Sequence, residues 1–242
     1  MKLLIIRHAD PDYSIDSLTE KGWVEAERLS EKLVKMDIDA FYVSSLGRAK
    51  DTASFTLKKL GREADGVFEW LKEFPTAIVK PHEDNPGICW DWMPSDWTTK
   101  SEFYDKDKWC DNPILAAAGV REEYERVTKE FDKLLAKHGY VRDGKIYRAE
   151  NPNMDTLALF CHFGTGCVLI SHLIGISPMV LWHGFCAAPS SVTTITTEER
   201  CEGIASFRIN SYGDVSHLYA KGEESAFSAR FCEMFKNENE RH

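Results

Sequence analysis

No C-x-x-C pair occurs among the seven cysteines, Cys89, Cys110, Cys161, Cys167, Cys186, Cys201 and Cys232. An odd set without paired spacing offers neither a disulfide framework nor a zinc knuckle, and it reads as reduced thiols in a cytoplasmic protein. Long apolar runs are missing too. The opening MKLLIIRHADP holds four consecutive apolar residues before Arg7, too few for a signal-peptide core, and no small-residue cleavage site follows. Residues 156–197 carry no Asp, Glu, Lys or Arg, yet His162, Gly164, Ser171 and Pro178 break the stretch well short of the ~20 residues a membrane span needs. Positive charge is in deficit, with 30 Lys and Arg against 39 Asp and Glu and a formal net charge of −9. That balance repels polyanions, so neither nucleic acid nor a membrane surface is an expected partner, and an anionic ligand has to be held by a local cluster.

What is present is a globular mixture, 43% hydrophobic and 29% charged. At 242 residues the chain fits a single domain, 1–242, carrying an insertion. Residues 2–6 are a Leu/Ile run that stops at a polar cluster, as a buried parallel strand does at its carboxyl end. Ser17 or Thr19 can cap a helix whose apolar positions Trp23, Ala26, Leu29, Leu33 and Met36 keep helical spacing. Residues 40–43 read as a second strand and 48–60 as a second helix. This alternation implies an α/β fold, a mostly parallel central sheet with helices on both faces.

Between residues 74 and 118 the periodicity disappears. Four of the seven tryptophans fall there (Trp90, Trp92, Trp97, Trp109), so the segment reads as an inserted cap of lid or binding loops. Residues 119–138 form an amphipathic helix, 157–161 a central strand, 164–174 a buried helix and 191–196 another strand. Residues 203–211 and 215–218 are expected to pair across a turn at Tyr212-Gly213-Asp214. A short C-terminal helix and a charged tail close the chain.

His8 and His162 each follow a strand directly, and parallel neighbours would bring them together. Arg7 adjoins the first, and Arg48 opens the helix after the second strand. Two cations and two imidazoles at one sheet end make a phosphate-sized pocket of positive charge, helped by helix N-termini.

These residues resemble the histidine phosphatase superfamily, which includes the cofactor-dependent phosphoglycerate mutases and many phosphatases. Leu4-Ile5-Ile6-Arg7-His8 is similar to its strand-R-H signature, and Leu18-Thr19-Glu20-Lys21-Gly22 to the L-T-x-x-G that opens its first helix. The stretch from Ser44 through Gly47, Arg48, Ala49, Thr52 and Ala53 resembles S-x-x-x-R-A-x-x-T-A. Leu71-Lys72-Glu73 resembles the L-x-E that holds the family's acid, and His162-Phe163-Gly164 its second histidine. The resemblance implies a phosphatase with no metal or other cofactor and a small phosphomonoester as substrate. His8 would be the nucleophile, Arg7, Arg48 and His162 would bind phosphate, and Glu73 would be the proton donor, with Glu69 one helical turn away as its competitor.

Two departures matter. The family often has Gly after the first histidine, where this chain has Ala9-Asp10-Pro11, so leaving-group contacts near Asp10 and Asp12 differ. Its mutases carry a distinctive stretch after the acid and paired arginines further on. Here Phe74-Pro75-Thr76 and the tryptophan-rich segment stand instead, which favours a phosphatase over a mutase; a noncatalytic phosphate-binding module is the third alternative. Trp90 and Trp92 are either an aromatic wall for the leaving group or the cap's own small core. His82, His172, His183 and His217 read as loop or packing residues.

Overall fold

The structure, a computed structural model, describes residues 1–226 and 234–236. Its main feature is an eight-stranded sheet. In chain order the strands are β1 (Lys2–Arg7), β2 (Ala40–Ser44), β3 (Gly66–Phe68), β4 (Tyr140–Asp143), β5 (Ile146–Ala149), β6 (Thr156–Cys161), β7 (Val192–Cys201) and β8 (Ile204–Asp214). Across the sheet they run β3-β2-β6-β1-β7-β8-β5-β4. The sheet is mixed. β3, β2, β6 and β1 pair in parallel and form the core of the α/β fold, while β7, β8, β5 and β4 extend it antiparallel.

Strand alternation divides the core between the two faces. Leu3, Ile5, Leu157 and Leu159 join one buried cluster, and Leu4, Ile6, Ala158 and Phe160 join the other. Helices α1 (Glu20–Leu33) and α2 (Gly47–Leu60) cover the second face with Leu29, Leu33, Ala49 and Ala53. Helices α3 (Val120–Lys137) and α4 (Phe163–Ile174) cover the first with Val127, Phe131, Leu134 and Val168. The uncharged stretch at 156–197 is thus β6, α4 and the start of β7, where both faces of the sheet meet protein. Among the described residues no helix is long and apolar enough to cross a membrane.

Residues 74–118 hold only short turns of helix and a two-residue strand pair, Ala77–Ile78 with Gly87–Ile88. Their Trp90, Trp92, Phe103 and Trp109 are buried in the same cluster as β1 and β6.

Two expectations at the C-terminal side need correction. Tyr212-Gly213-Asp214 is not a turn between strands. β8 continues through it to pair Asp214 with Val192, and Gly213, at φ +65, sits opposite the irregular register at Val192 and Thr194 and donates its N–H to Thr193 Oγ1 at 3.1 Å. A left-handed glycine serves a bulge as well as a turn, and the actual hairpin turn lies at Gly203, φ +77. Residues 216–219 are a single helical turn, not a strand. The β4–β5 hairpin, closed at Gly144, φ +59, escaped the sequence because its strands are short and half polar. The expected charged tail falls on residues 227–233 and 237–242, outside the described ones.

The loop after β1 is clamped by α1. Thr19 caps the helix, its hydroxyl accepting from Gly22 N and donating to Asp10 Oδ2 at 2.7 Å. A Cβ on Gly22 would come within 2.2 Å of Asp10 O, so only glycine lets the helix approach this closely. Glu25, fully buried, accepts from Asp10 N at 2.9 Å and from Ala226 N at 2.8 Å. Burial pushes its carboxyl up to about 7 in spite of those bonds. Because the folded value lies above the unfolded one, the stability this group contributes is full below the unfolded pKa and is lost as pH rises through the folded one. In urea unfolding followed from about pH 5 to about pH 8, the native sequence should lose roughly 2 kcal/mol more stability than Glu25→Gln. Equal slopes would show that Glu25 keeps an ordinary carboxylate affinity.

Candidate active site

The parallel register of β1 with β6 sets Arg7 beside Cys161, so the next residue of each strand leaves the sheet at the same point. His8 and His162 meet there, ring centroids 4.9 Å apart and planes at 57°, both buried. β2 lies on the other side of β6, and its terminal Ser44 bonds through Oγ to His162 Nε2 at 2.8 Å. Arg7 and Arg48, each 8% exposed, complete the cluster.

The tautomer of His8 follows from its partner. Nδ1 lies 2.7 Å from Ala9 O, and a carbonyl only accepts, so Nδ1 carries the hydrogen and Nε2 presents a lone pair. Burial, then the Arg7 and Arg48 charges, hold the His8 imidazole well below its usual pKa. Burial, then His8, Arg48 and Arg7, do the same to His162. His162 Nδ1 and Arg48 Nε are buried and have no hydrogen-bond partner among the described residues.

Both guanidinium groups are positioned. Arg7 Nη1 donates to Ala187 O at 2.7 Å. Arg48 pairs with Asp16 and lies over the Tyr13 ring, 5.4 Å from its centroid. Asp16 also accepts from Gly47 N at 2.7 Å, and a Cβ on Gly47 would stand 2.1 Å from Asp16 O. These bonds hold the Asp16 carboxyl below its usual value despite the burial that opposes them. Nothing in the sequence singled out Asp16; the glycine before Arg48 was its only trace.

Glu73 follows a 3-10 turn, Glu69–Leu71, and reaches the start of α4. Its Oε1 accepts from Phe74 N at 3.0 Å and Thr165 N at 3.2 Å. Burial raises its carboxyl pKa, opposed by the Phe74 N–H, Arg7, the Thr165 N–H and Arg48. Each helix N-terminus at the site therefore holds one carboxylate, Asp16 on α2 and Glu73 on α4. Glu69 points elsewhere: its side chain is 74% exposed and lies 3.7 Å from Lys72.

Residues 3–210 match the family model described as Histidine phosphatase superfamily (branch 1). The chain belongs to the histidine phosphatase superfamily. It is 22% identical over 218 residues to an adenosylcobalamin/alpha-ribazole phosphatase of Salmonella typhi, covering 86% of this chain and 95% of that relative. A phosphoserine phosphatase of Entamoeba histolytica, solved in complex with phosphoserine, is similar in fold with TM-score 0.55 and 18% identity over 90% of this chain and 98% of that one. The alpha-ribazole phosphatase of Shigella flexneri is similar at TM-score 0.54 and 20% identity, covering 87% and 96%.

The other singled-out residues of this histidine phosphatase lie around the site or away from it. Trp92 is buried, donates from Nε1 to Cys89 O at 3.0 Å and meets Phe103 edge-on, which is the packing alternative. Trp90 lies against Gly164. His172 binds Asp132 at 2.9 Å toward the far end of α4. His183 bonds to Met179 O and Trp92 N. His217 holds Ser190, whose N–H donates to His8 O at 3.0 Å, so it supports the site from one residue behind. His82 is exposed and lies 3.8 Å from Asp96.

In an NMR titration of the histidine side chains, His8 and His162 should keep neutral-imidazole shifts below about pH 6.5, the ordinary histidine value. Arg48→Gln should move both midpoints upward, since one repelling charge is gone. Midpoints that stay put in the variant would rule out the guanidinium as a cause.

Proposed function

We propose that this histidine phosphatase is a metal-independent phosphomonoester phosphatase acting through a phosphohistidine on His8. The observation that carries this reading is the bond from His8 Nδ1 to Ala9 O, which leaves an unprotonated Nε2 in a cluster with two buried guanidinium groups whose charges act on the ring. A phosphomonoester dianion resists attack until its charge is offset, and Arg7, Arg48 and His162 supply donors and charge for its oxygens. The buried His162 Nδ1 and Arg48 Nε support that assignment, since a phosphoryl group brings the partners they lack.

In the first half-reaction His8 Nε2 attacks phosphorus, the P–O bond to the leaving group breaks, and Glu73 gives its proton to the departing oxygen. Both bonds to Glu73 fall on Oε1, so the proton resides on Oε2. In the second, water attacks the phosphohistidine, Glu73 takes the water's proton, and the P–N bond breaks to return the electron pair to Nε2. On this reading the chain is one domain acting in the cytoplasm, and residues 74–118 are a cap that selects a small phosphorylated metabolite. The names of the Salmonella and Entamoeba relatives favour that substrate class.

The test is release of inorganic phosphate from a panel including alpha-ribazole phosphate, phosphoserine and phosphoglycerates, in EDTA. Turnover should survive the chelator and vanish in His8→Ala, and Glu73→Gln should cost about 10²–10⁴-fold. Loss of activity in EDTA, or a phosphoryl group recovered on a second hydroxyl of the substrate, would overturn the reading.

A further inference from the structure

Trp90 reaches the catalytic end of the sheet from within residues 74–118. A Cβ built on Gly164 would lie 2.4 Å from Trp90 Cη2, 2.7 Å from Trp90 Cζ3 and 2.8 Å from Glu73 Oε1. The indole edge, the glycine after the second histidine and the acid's carboxyl therefore converge on one point, and the missing side chain at Gly164 is what admits the ring. Trp90 is 6% exposed, so its ring offers little surface to a substrate. It stacks on Trp182 at 5.4 Å and 29°, and Trp182 Nε1 donates to Gly164 O at 3.0 Å. Trp182 also packs on Phe74, whose N–H holds Glu73, and the Trp90 carbonyl accepts from the buried Lys80 Nζ at 3.1 Å. The ring is held on one face by Trp182, at its edge by Gly164 and through its own backbone carbonyl.

We propose that Trp90 is a positioning residue for the proton donor: its indole edge, seated on Gly164 beside Glu73 Oε1, covers one side of the partly buried Glu73 carboxyl against water, so that Glu73 keeps its proton until the leaving oxygen takes it. This rests on the assignment of Glu73 as the acid. An apolar ring beside a carboxyl favours the neutral form because it replaces water that would solvate the charge. The groups facing Glu73 are Arg7 from β1, Arg48 from α2, Cys161 from β6, Cys167 from α4 and Cys89 from the segment carrying Trp90. The arginines favour the ionised form. The thiols, raised by burial, stay neutral and add no opposing charge. The hydrophobic cover is what sets the balance against the two cations.

The experiment compares kcat/KM, as a function of pH, for substituted phenyl phosphates from good to poor leaving groups. Poor leaving groups need the proton and p-nitrophenolate does not. Trp90→Ala should move the basic limb down by about one pH unit, cost about tenfold on phenyl phosphate near neutral pH, and spare p-nitrophenyl phosphate. Trp90→Phe should restore most of the loss. The carboxylic acid C=O band that disappears in Glu73→Gln should weaken at neutral pH in Trp90→Ala, and Trp90→Leu, which keeps part of the apolar cover, should show smaller shifts in the same direction should the alanine variant fail to fold. A uniform loss across all leaving groups with the limb and the band unmoved would overturn the proposal. Glu73→Gln is the control for the underlying assignment. If it does not itself steepen the dependence on leaving group, Glu73 is not the acid and that assignment fails instead.

Discussion

Everything at the histidine end of this sheet depends on burying two guanidinium groups and two imidazoles together. Burial first, and then the charges of Arg7 and Arg48, keep both imidazoles neutral. The same repulsion that would destabilise a cluster of four cations is relieved by making two of them neutral, and neutrality is also what gives His8 a lone pair. One carboxylate offsets part of the remainder, Asp16 paired with Arg48. Stability and reactivity here share one electrostatic cause.

Much of this was legible in the sequence because strand-end chemistry is written locally. The runs before His8 and His162 are buried strands, and a parallel pair delivers its next residues to one place. Arg48 was legible through the helix it opens. Asp16 was not, because it reaches Arg48 from a loop thirty-two positions away with no pattern of its own. The resemblance pointed to Glu73 with Glu69 as its competitor, and the coordinates add that Glu73 meets the N-terminus of α4 while Glu69 is exposed. The bulge at Gly213 was lost because glycine marks positive φ without saying which structure needs it.

The 74–118 segment shows how a region without periodicity still carries order. Its aromatic side chains supply burial where repeating secondary structure is absent, and they share a core with β1 and β6. The two alternatives offered by the tryptophans, wall or core, do not divide the segment cleanly. Trp92 packs inward among its own neighbours, while Trp90 packs inward against the helix that follows His162.

Trp182 touches Phe74, Trp90 and Trp109 and is tied by its N–H to Gly164 O. One indole thus joins three residues of the inserted segment, among them the neighbour of Glu73, to the helix that begins at the site. Lifting that segment away as a hinged flap would unstack all three contacts at once, so this part of the site is preorganised. The loop that carries Tyr13 and Ile15 is the exposed side of the site, and the entropy of ordering the aromatic side is spent during folding and not at each turnover.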